Sequence, residues 1–378
     1  MQVTSASFAY PSVGESQRAD LARVLADAPV PEGVFVLSTC LRVEVTVPGD
    51  DTVLKETLDQ LLGDVRVQPT VREGQEAVEH LFRLAAGLES PIMGEVEVLT
   101  QFRRAVTDMR ETGSAEGWFL KLLESAISTG RDARDLMPAS AHDTMAAVAA
   151  QLVGPAERVA VVGSGTMARS VVEALAGLPA PPRVTVLARE PDRVVLEGAD
   201  VLALDEVPSV LSRFPVVVSA TAASKRLMDR GEMEAVLRRR TASLLLVDMA
   251  MPPDFAPAAA DSVHYVGIDE LASLASRRPR TGAAEEHVAD AARETYHLLA
   301  TRGRAGPVIA SLLAEADRVV DETVERFAGR LSEEADRDVL RQTAHTVART
   351  ILNRPVSALR STRDPDLIEA MSSVFDHE

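Results

Sequence analysis

The chain reads as an α/β multidomain protein, with an α+β domain over residues 1–145, a parallel-sheet domain over 146–282 and an all-helical domain over 283–378. Three observations predict that division. From Arg158 onward, short continuously apolar runs alternate with helical segments, the texture of a parallel sheet with crossover helices. In the flanking regions apolar residues recur at three and four positions, the period of helices that each bury one face. Aromatic residues are only 3% of the chain and hydrophobic residues 46%, so the core is mainly Ala, Val and Leu, which suits helices and parallel strands better than an aromatic-rich sandwich.

In the first domain, residues 34–37 and 43–47 read as strands, and residues 77–86, 98–109 and 118–134 as helices. In the second, buried strands are expected at 159–162, 184–187, 216–219, 244–247 and 264–267. A short basic linker with proline and glycine, Arg277-Arg278-Pro279-Arg280-Thr281-Gly282, separates this domain from the last. The rest is amphipathic helix, rich in Ala, Glu, Arg and Leu and punctuated near Gly306-Pro307 and Arg354-Pro355. Long apolar faces outside an αβ core need a partner, which predicts a homodimer.

The formal net charge of −17 excludes a general nucleic-acid binder, though arginines clustered locally could still hold a specific tRNA. Lysine occurs only at Lys55, Lys121 and Lys225. No apolar run reaches 18 residues, and the N-terminus lacks a basic segment followed by an apolar stretch and a cleavage site. The expectation is a cytoplasmic protein without membrane association, whose single thiol stays reduced. His142, His264, His287, His297, His345 and His377 show no ligand spacing and have no cysteine partners, so no metal site is expected.

Residues 159–162 run straight into Gly163-Ser164-Gly165-Thr166-Met167-Ala168, a G-x-G-x-x-A turn between a strand and a helix. Gly163 permits the tight turn, Gly165 leaves room for a pyrophosphate, and Ala168 lets the helix pack on the sheet with its N-terminal amides toward the phosphates. This context predicts a Rossmann-type dinucleotide site. The next strand ends at Arg189, with Arg193 close behind, where an NAD site would want an acid; an arginine suits a 2′-phosphate, so the expected cofactor is NADPH. Ser219 and Thr221, at the end of the strand over 216–219, either border the nicotinamide half or are simple packing.

Cys40 is the only cysteine, so its chemical role, if it has one, is nucleophilic; the alternative is a small buried hydrophobe. Arg42 lies two residues on, so an extended segment would point both side chains to one face, pairing a nucleophile with a group that favours a thiolate and grips a carboxylate. His80 stands on a helix downstream and can serve as acid, base or orienter.

Four blocks in this order resemble the glutamyl-tRNA reductase family over nearly the whole chain. Residues 38–44, Ser-Thr-Cys-Leu-Arg-Val-Glu, are similar to its STCNR-x-E block. Residues 80–90, His-Leu-Phe-Arg-Leu-Ala-Ala-Gly-Leu-Glu-Ser, with Gly94-Glu95 after them, are similar to its HLFRVAAGLDS…GE block. Gly163 to Ala168 resembles its dinucleotide turn, and residues 348–360 resemble its dimerisation signature. The resemblance implies an NADPH-dependent, aldehyde-forming reduction of glutamyl-tRNA to glutamate-1-semialdehyde for tetrapyrrole synthesis. It implies Cys40 as thioester-forming nucleophile, His80 in the active site, and Thr39, Arg42, Ser90 and Glu95 around the substrate. It also implies contact with a downstream aminomutase. Because sulfur and nicotinamide would lie on different domains, either a domain movement or a closed geometry is required.

The chain departs from the family pattern in several places. Leu41 stands for an asparagine, Ala6-Ser7 for an Asn-His pair, Glu97 for a glutamine, Asp135-Leu136-Met137 for Thr-Glu-Thr, and Pro252-Pro253 for Pro-Arg. Two further readings follow. One is a paralogue reducing another aminoacyl-tRNA or acyl thioester; the other is a non-catalytic dimeric tRNA-binding scaffold, which retention of both Cys40 and the glycine turn disfavours.

Overall fold

The computed structural model describes residues 2–92, 96–111, 115–137, 144–196, 198–223, 225–238, 240–257, 262–275, 282–328, 330, 334–362 and 364–375. Glu95, His142, His377 and residues 277–281 of the expected linker lie outside them. The chain forms two compact units, Gln2–Ala291 and Ala292–Glu378.

The larger unit opens with β1 (Thr4–Ala9), α1 (Glu15–Asp27), β2 (Phe35–Ser38), β3 (Arg42–Val47), α2 (Asp51–Leu62) and β4 (Thr70–Glu73). The strands pair antiparallel in the order β2-β3-β1-β4. Asp50 starts α2 by accepting from the Thr52 and Val53 amides, satisfying donors that the first turn leaves without helical partners. All six residues of β3 are buried, although Arg42, Glu44 and Thr46 alternate along it, so one face presents polar groups to the interior. Such a strand persists only if those groups find partners.

Helices α3 (Gly74–Ala85), α4 (Val96–Glu111) and α5 (Gly117–Asp135) follow. A Cβ on Gly130 of α5 would come within 2.6 Å of the Ala85 carbonyl, so only glycine lets α5 approach the end of α3 this closely. That contact fixes the helix carrying His80.

The remainder of this unit comprises α6 (Met145–Val153), β5 (Arg158–Val162), α7 (Thr166–Ala176), β6 (Arg183–Ala188), β7 (Ala199–Ala203), α8 (Val207–Arg213), β8 (Val216–Ser219), α9 (Arg230–Leu237), β9 (Leu244–Asp248), β10 (Val263–Val266) and α10 (Ile268–Ala275). The six strands pair in parallel as β10-β9-β8-β5-β6-β7. Counted from β5, this is the doubly wound order 3-2-1-4-5-6, with its switch point between β5 and β8. The five strands expected from sequence are present. The sixth, β7, is a half-exposed edge strand of sequence Ala-Asp-Val-Leu-Ala, which lacks the continuous apolar run that marks its neighbours.

One apolar cluster runs from Leu41 and Ile92 in the first layer through Met145, Val161, Val218 and Met249 to Val266 and Leu271. Leu41 is therefore core: where the family pattern has an amide, this chain buries a methyl-bearing side chain against the sheet. Buried Arg18 on α1 adds an ion pair to Asp269 on α10.

Helix α11 (Gly282–Ala328) leads into the smaller unit, which also holds α12 (Glu334–Ser361) and α13 (Pro365–Phe375). The breaks expected at Pro307 and Pro355 do not occur; both prolines lie inside continuous helices. Ala305, Val308, Ile309 and Leu312 on α11 pack against Val356 and Leu359 on α12, and this packing outweighs the roughly 3 kcal/mol that an internal proline costs. Exposed Pro307 leaves its missing hydrogen bond to water. Among the described residues no helix is long and apolar enough to cross a membrane.

Candidate active site

Cys40 sits at the tip of the β2-β3 hairpin rather than on a strand. The Thr39 amide donates to the Arg42 carbonyl at 2.8 Å, and the Thr39 hydroxyl accepts from the amides of Leu41 and Arg42, each at 3.2 Å. This side-chain-backed turn corrects the expectation that strand alternation places Cys40 and Arg42 on one face. The bend puts the half-buried thiol in the loop, and strand alternation instead aligns Arg42 with Glu44. Thr39 thus shapes the turn that presents the thiol.

Glu44 is 0% exposed and joins three elements. One carboxylate oxygen accepts from Ser7 Oγ on β1 at 2.9 Å and from Arg42 Nη1 at 3.2 Å. The other lies 3.1 Å from His80 Nε2 on α3. Buried Arg42 also donates through Nη2 to the Glu89 carbonyl. Its guanidinium is thereby oriented from both ends. His80 is buried against Glu44 and is not among the described residues that line the cavity shared by Cys40. Glu44 is the residue that sequence reasoning missed as a site member. Its pattern concealed it, because Arg42, Glu44 and Thr46 alternate with valines and read as the solvent face of a half-buried strand.

Burial pushes the Glu89 carboxyl up, but the hydrogen bond from Arg83 at 2.6 Å, with His80 and Arg42 nearby, outweighs it and holds Glu89 below the usual carboxylate range. Ser90, next in sequence, faces the cavity.

That cavity, about 320 Å³, brings together groups from both layers of the unit. Thr39, Cys40, Leu41, Arg42, Ser90, Glu97 and Gln101 contribute from the first layer; Met167, Ala220, Thr221, Ala222, Met249 and Met251 contribute from the segments after β5, β8 and β9. The second set lies at the carboxyl ends of the parallel strands on both sides of the switch point, where doubly wound sheets bind ligands. Cys40 and the ends of the parallel strands thus line one cavity within this unit. Burial pushes the Glu97 carboxyl up, with no charged neighbour offsetting it.

The glycine turn has the form a dinucleotide requires. Gly163 has φ +116°, and a Cβ there would meet the Ala220 carbonyl at 2.6 Å, so neither backbone nor packing admits a side chain. A Cβ on Gly165 would meet nothing within 4 Å, leaving open space over the turn. Gly165 is also the cap of α7 and supplies no side-chain acceptor, so the first-turn amides keep their capacity for an anion. Ser164 and Thr166 flank this opening, Met167 reaches the cavity, and Ala168 is buried against the sheet. Arg189 stands exposed just after β6 and makes no ion pair among the described residues, whereas Arg193 pairs with Glu190 at 2.6 Å.

Ser219 and Thr221 differ in placement. Both hydroxyls donate to Asp254 at 2.6 Å, but Ser219 is fully buried whereas Thr221 lines the cavity. Ser219 therefore offers no side-chain surface to a ligand, a correction to the reading that paired it with Thr221. Asp254 neighbours buried Asp248, whose oxygens accept from the Ala250 and Phe255 amides at 3.1 and 3.0 Å and from the Tyr265 hydroxyl at 3.3 Å. Among the described residues no group of three or more His, Cys, Asp or Glu side chains has metal-holding geometry.

Comparison with known proteins agrees with these features. Residues 7–136 match the family model described as glutamyl-tRNAGlu reductase, N-terminal domain; residues 147–274 match shikimate/quinate 5-dehydrogenase; and residues 283–377 match glutamyl-tRNAGlu reductase, dimerisation domain. The glutamyl-tRNA reductase of Kineococcus radiotolerans is 32% identical, over 94% of this chain and 85% of its own length. That of Archaeoglobus fulgidus is 28% identical, over 89% and 83%. The solved glutamyl-tRNA reductase from Methanopyrus kandleri is 25% identical, with 99% of this chain and 97% of that chain covered and a TM-score of 0.47.

Proposed function

Because the chain belongs to the glutamyl-tRNA reductase family, we propose that it reduces glutamyl-tRNA to glutamate-1-semialdehyde with NADPH, through a thioester on Cys40. The observation that carries this reading is the single cavity that holds Cys40 together with the carboxyl ends of the nucleotide-domain strands. Cys40 attacks the aminoacyl ester carbon as thiolate; the bond to the terminal ribose oxygen breaks, and that oxygen leaves with a proton. NADPH, when bound, supplies the hydride that reduces the thioester carbonyl. The resulting thiohemiacetal expels the Cys40 sulfur, which keeps the electron pair, and the aldehyde departs.

Arg42 favours the thiolate and orients an anionic group in the cavity, while Glu44 and His80 hold its guanidinium in place. His80 acts through Glu44, as a positioning residue. Thr39 sets the hairpin tip, and Ser90 offers a hydroxyl to the acyl group. We assign Glu95 to the same substrate set on the resemblance alone. Gly163 to Ala168 would cradle the pyrophosphate, Arg189 the 2′-phosphate, and Thr221 the nicotinamide side. Division at 145/146 and 282/283 is supported by the matched segments 7–136, 147–274 and 283–377. The protein works as a homodimer, in the cytoplasm where charged tRNA is found.

A second reading, reduction of another aminoacyl-tRNA or acyl thioester, draws support from Glu97, a carboxylate on the same cavity wall that disfavours an anionic acyl group. One experiment separates the two. Purified protein is mixed anaerobically with NADPH and a panel of charged tRNAs, and aldehyde is trapped. Aldehyde from glutamyl-tRNA is expected, with Cys40→Ser lowering its rate by about three orders of magnitude. Aldehyde from a different donor only would establish the second reading. A Ser variant as active as the parent would remove the thioester from the mechanism.

A further inference from the structure

The cavity contains a carboxylate that no described residue neutralises. Glu97 lies in the first turn of α4, half-buried, and its side chain makes no hydrogen bond or ion pair among the described residues. It lines the same cavity as Cys40, and Gln101, one turn further along the helix, lines it too. The cation of that wall, Arg42, is engaged by the buried carboxylate of Glu44 and by the Glu89 carbonyl. A half-buried carboxyl without a cation is costly unless a ligand supplies one. The family pattern has a neutral amide at this position, so the negative charge is this chain's own.

We propose that Glu97 is a specificity-determining residue that pairs with the α-ammonium of an aminoacyl ester while Cys40 takes the acyl carbon. Every such ester carries that ammonium one carbon away from the carbonyl under attack, so a carboxylate bordering the thiol's cavity is placed to grip it. Burial strengthens the pairing, because the charges attract in a partly dry cavity rather than in water. An acyl donor without the amine would leave Glu97 desolvated and unpaired, and rejecting such a donor is what a buried polar group does best. The amide of relatives can accept a hydrogen bond at this position but supplies no charge. The inference rests on the acyl-reductase reading of Cys40 and names the substrate group that the site selects.

The test compares glutamyl-tRNA with the same tRNA after acetylation of the α-amino group, which removes its charge. Full-length protein, Glu97→Gln and Glu97→Asp are assayed for aldehyde formation with NADPH, with thermal melting as a folding control. The parent should favour the free amine by about tenfold or more in kcat/KM. Glu97→Gln should lose most of that preference through slower use of the free amine, with the acetylated substrate little changed; Glu97→Asp should retain part of it. An unchanged ratio in Glu97→Gln, or an equal loss on both substrates, would overturn the proposal while leaving the acyl-reductase reading intact. No aldehyde from either substrate with the parent protein would instead overturn that reading and take this inference with it.

Discussion

At the level of single residues, Glu44 carries more of the site's geometry than any group that faces the cavity. Ser7, Arg42 and His80 converge on its carboxylate, and all four are buried. Deleting it leaves the Arg42 guanidinium without a counter-charge in the interior. Glu44→Ala should therefore cost about 3–5 kcal/mol, read as a lower urea midpoint at unchanged slope. Arg189 is the opposite case, exposed at the end of its strand and without an ion-pair partner among the described residues. Arg189→Ala should raise the KM for NADPH by about 10- to 100-fold and leave that for NADH nearly unchanged, in steady-state assays with each cofactor. Equal effects on the two would assign the arginine to something other than the 2′-phosphate. Cys40 and Arg42 were legible in sequence because their types are chemically uncommon at that spacing. Glu44 was not, because a carboxylate in a strand reads as surface until the burial of both sheet faces is known.

Among the elements, the segment from the end of β9 to Phe255 buries two neighbouring carboxyls, Asp248 and Asp254. Burial, reinforced by the Asp254 charge, pushes the Asp248 carboxyl up to about 8, against the amides of Phe255 and Ala250 that donate to it. In the unfolded chain this group ionises in the ordinary carboxylate range, so between that range and pH 8 the folded state holds the additional proton. Raising the pH through that window costs stability, and the loss is complete only above about 8. Denaturant unfolding at pH 6 and pH 8.5 should show this fall in the parent, and a shallower one in Asp254→Asn, where the neighbouring charge is gone. Equal slopes would mean Asp254 contributes nothing to the shift. The interior strands of the parallel sheet could be read directly because both faces are covered and the sequence has no freedom but to be apolar. The edge strand β7 and the hairpin tip at Cys40 could not. The first lacks that pattern, and the second depends on two amides finding the Thr39 hydroxyl, a contact no periodicity encodes. Prolines 307 and 355 misled for a related reason, since a local breaker is overruled by packing along the whole helix.

For the molecule as a whole, α12 of the smaller unit exposes Val339, Val347 and Ile351 at 62%, 52% and 67%, spaced by whole helical turns. We propose that a second copy covers this row, a reading supported by the match of residues 283–377 to a dimerisation-domain model. Val347→Glu combined with Ile351→Glu should shift the protein from dimer to monomer by light scattering, with helicity by circular dichroism retained. A double variant that stays dimeric would place the interface elsewhere. The larger unit has a different unity. Leu41, Met167, Met249 and Met251 all line the cavity and belong to, or pack against, the apolar cluster that continues beneath the sheet. The proposed thioester, held against that wall, would have two competing fates, hydride capture and attack by water. On the proposed mechanism, the yield of aldehyde over free acid per acyl group captured would depend on the wall's dryness as much as on the sulfur's reactivity, and a leucine at position 41 would favour reduction by keeping that wall apolar.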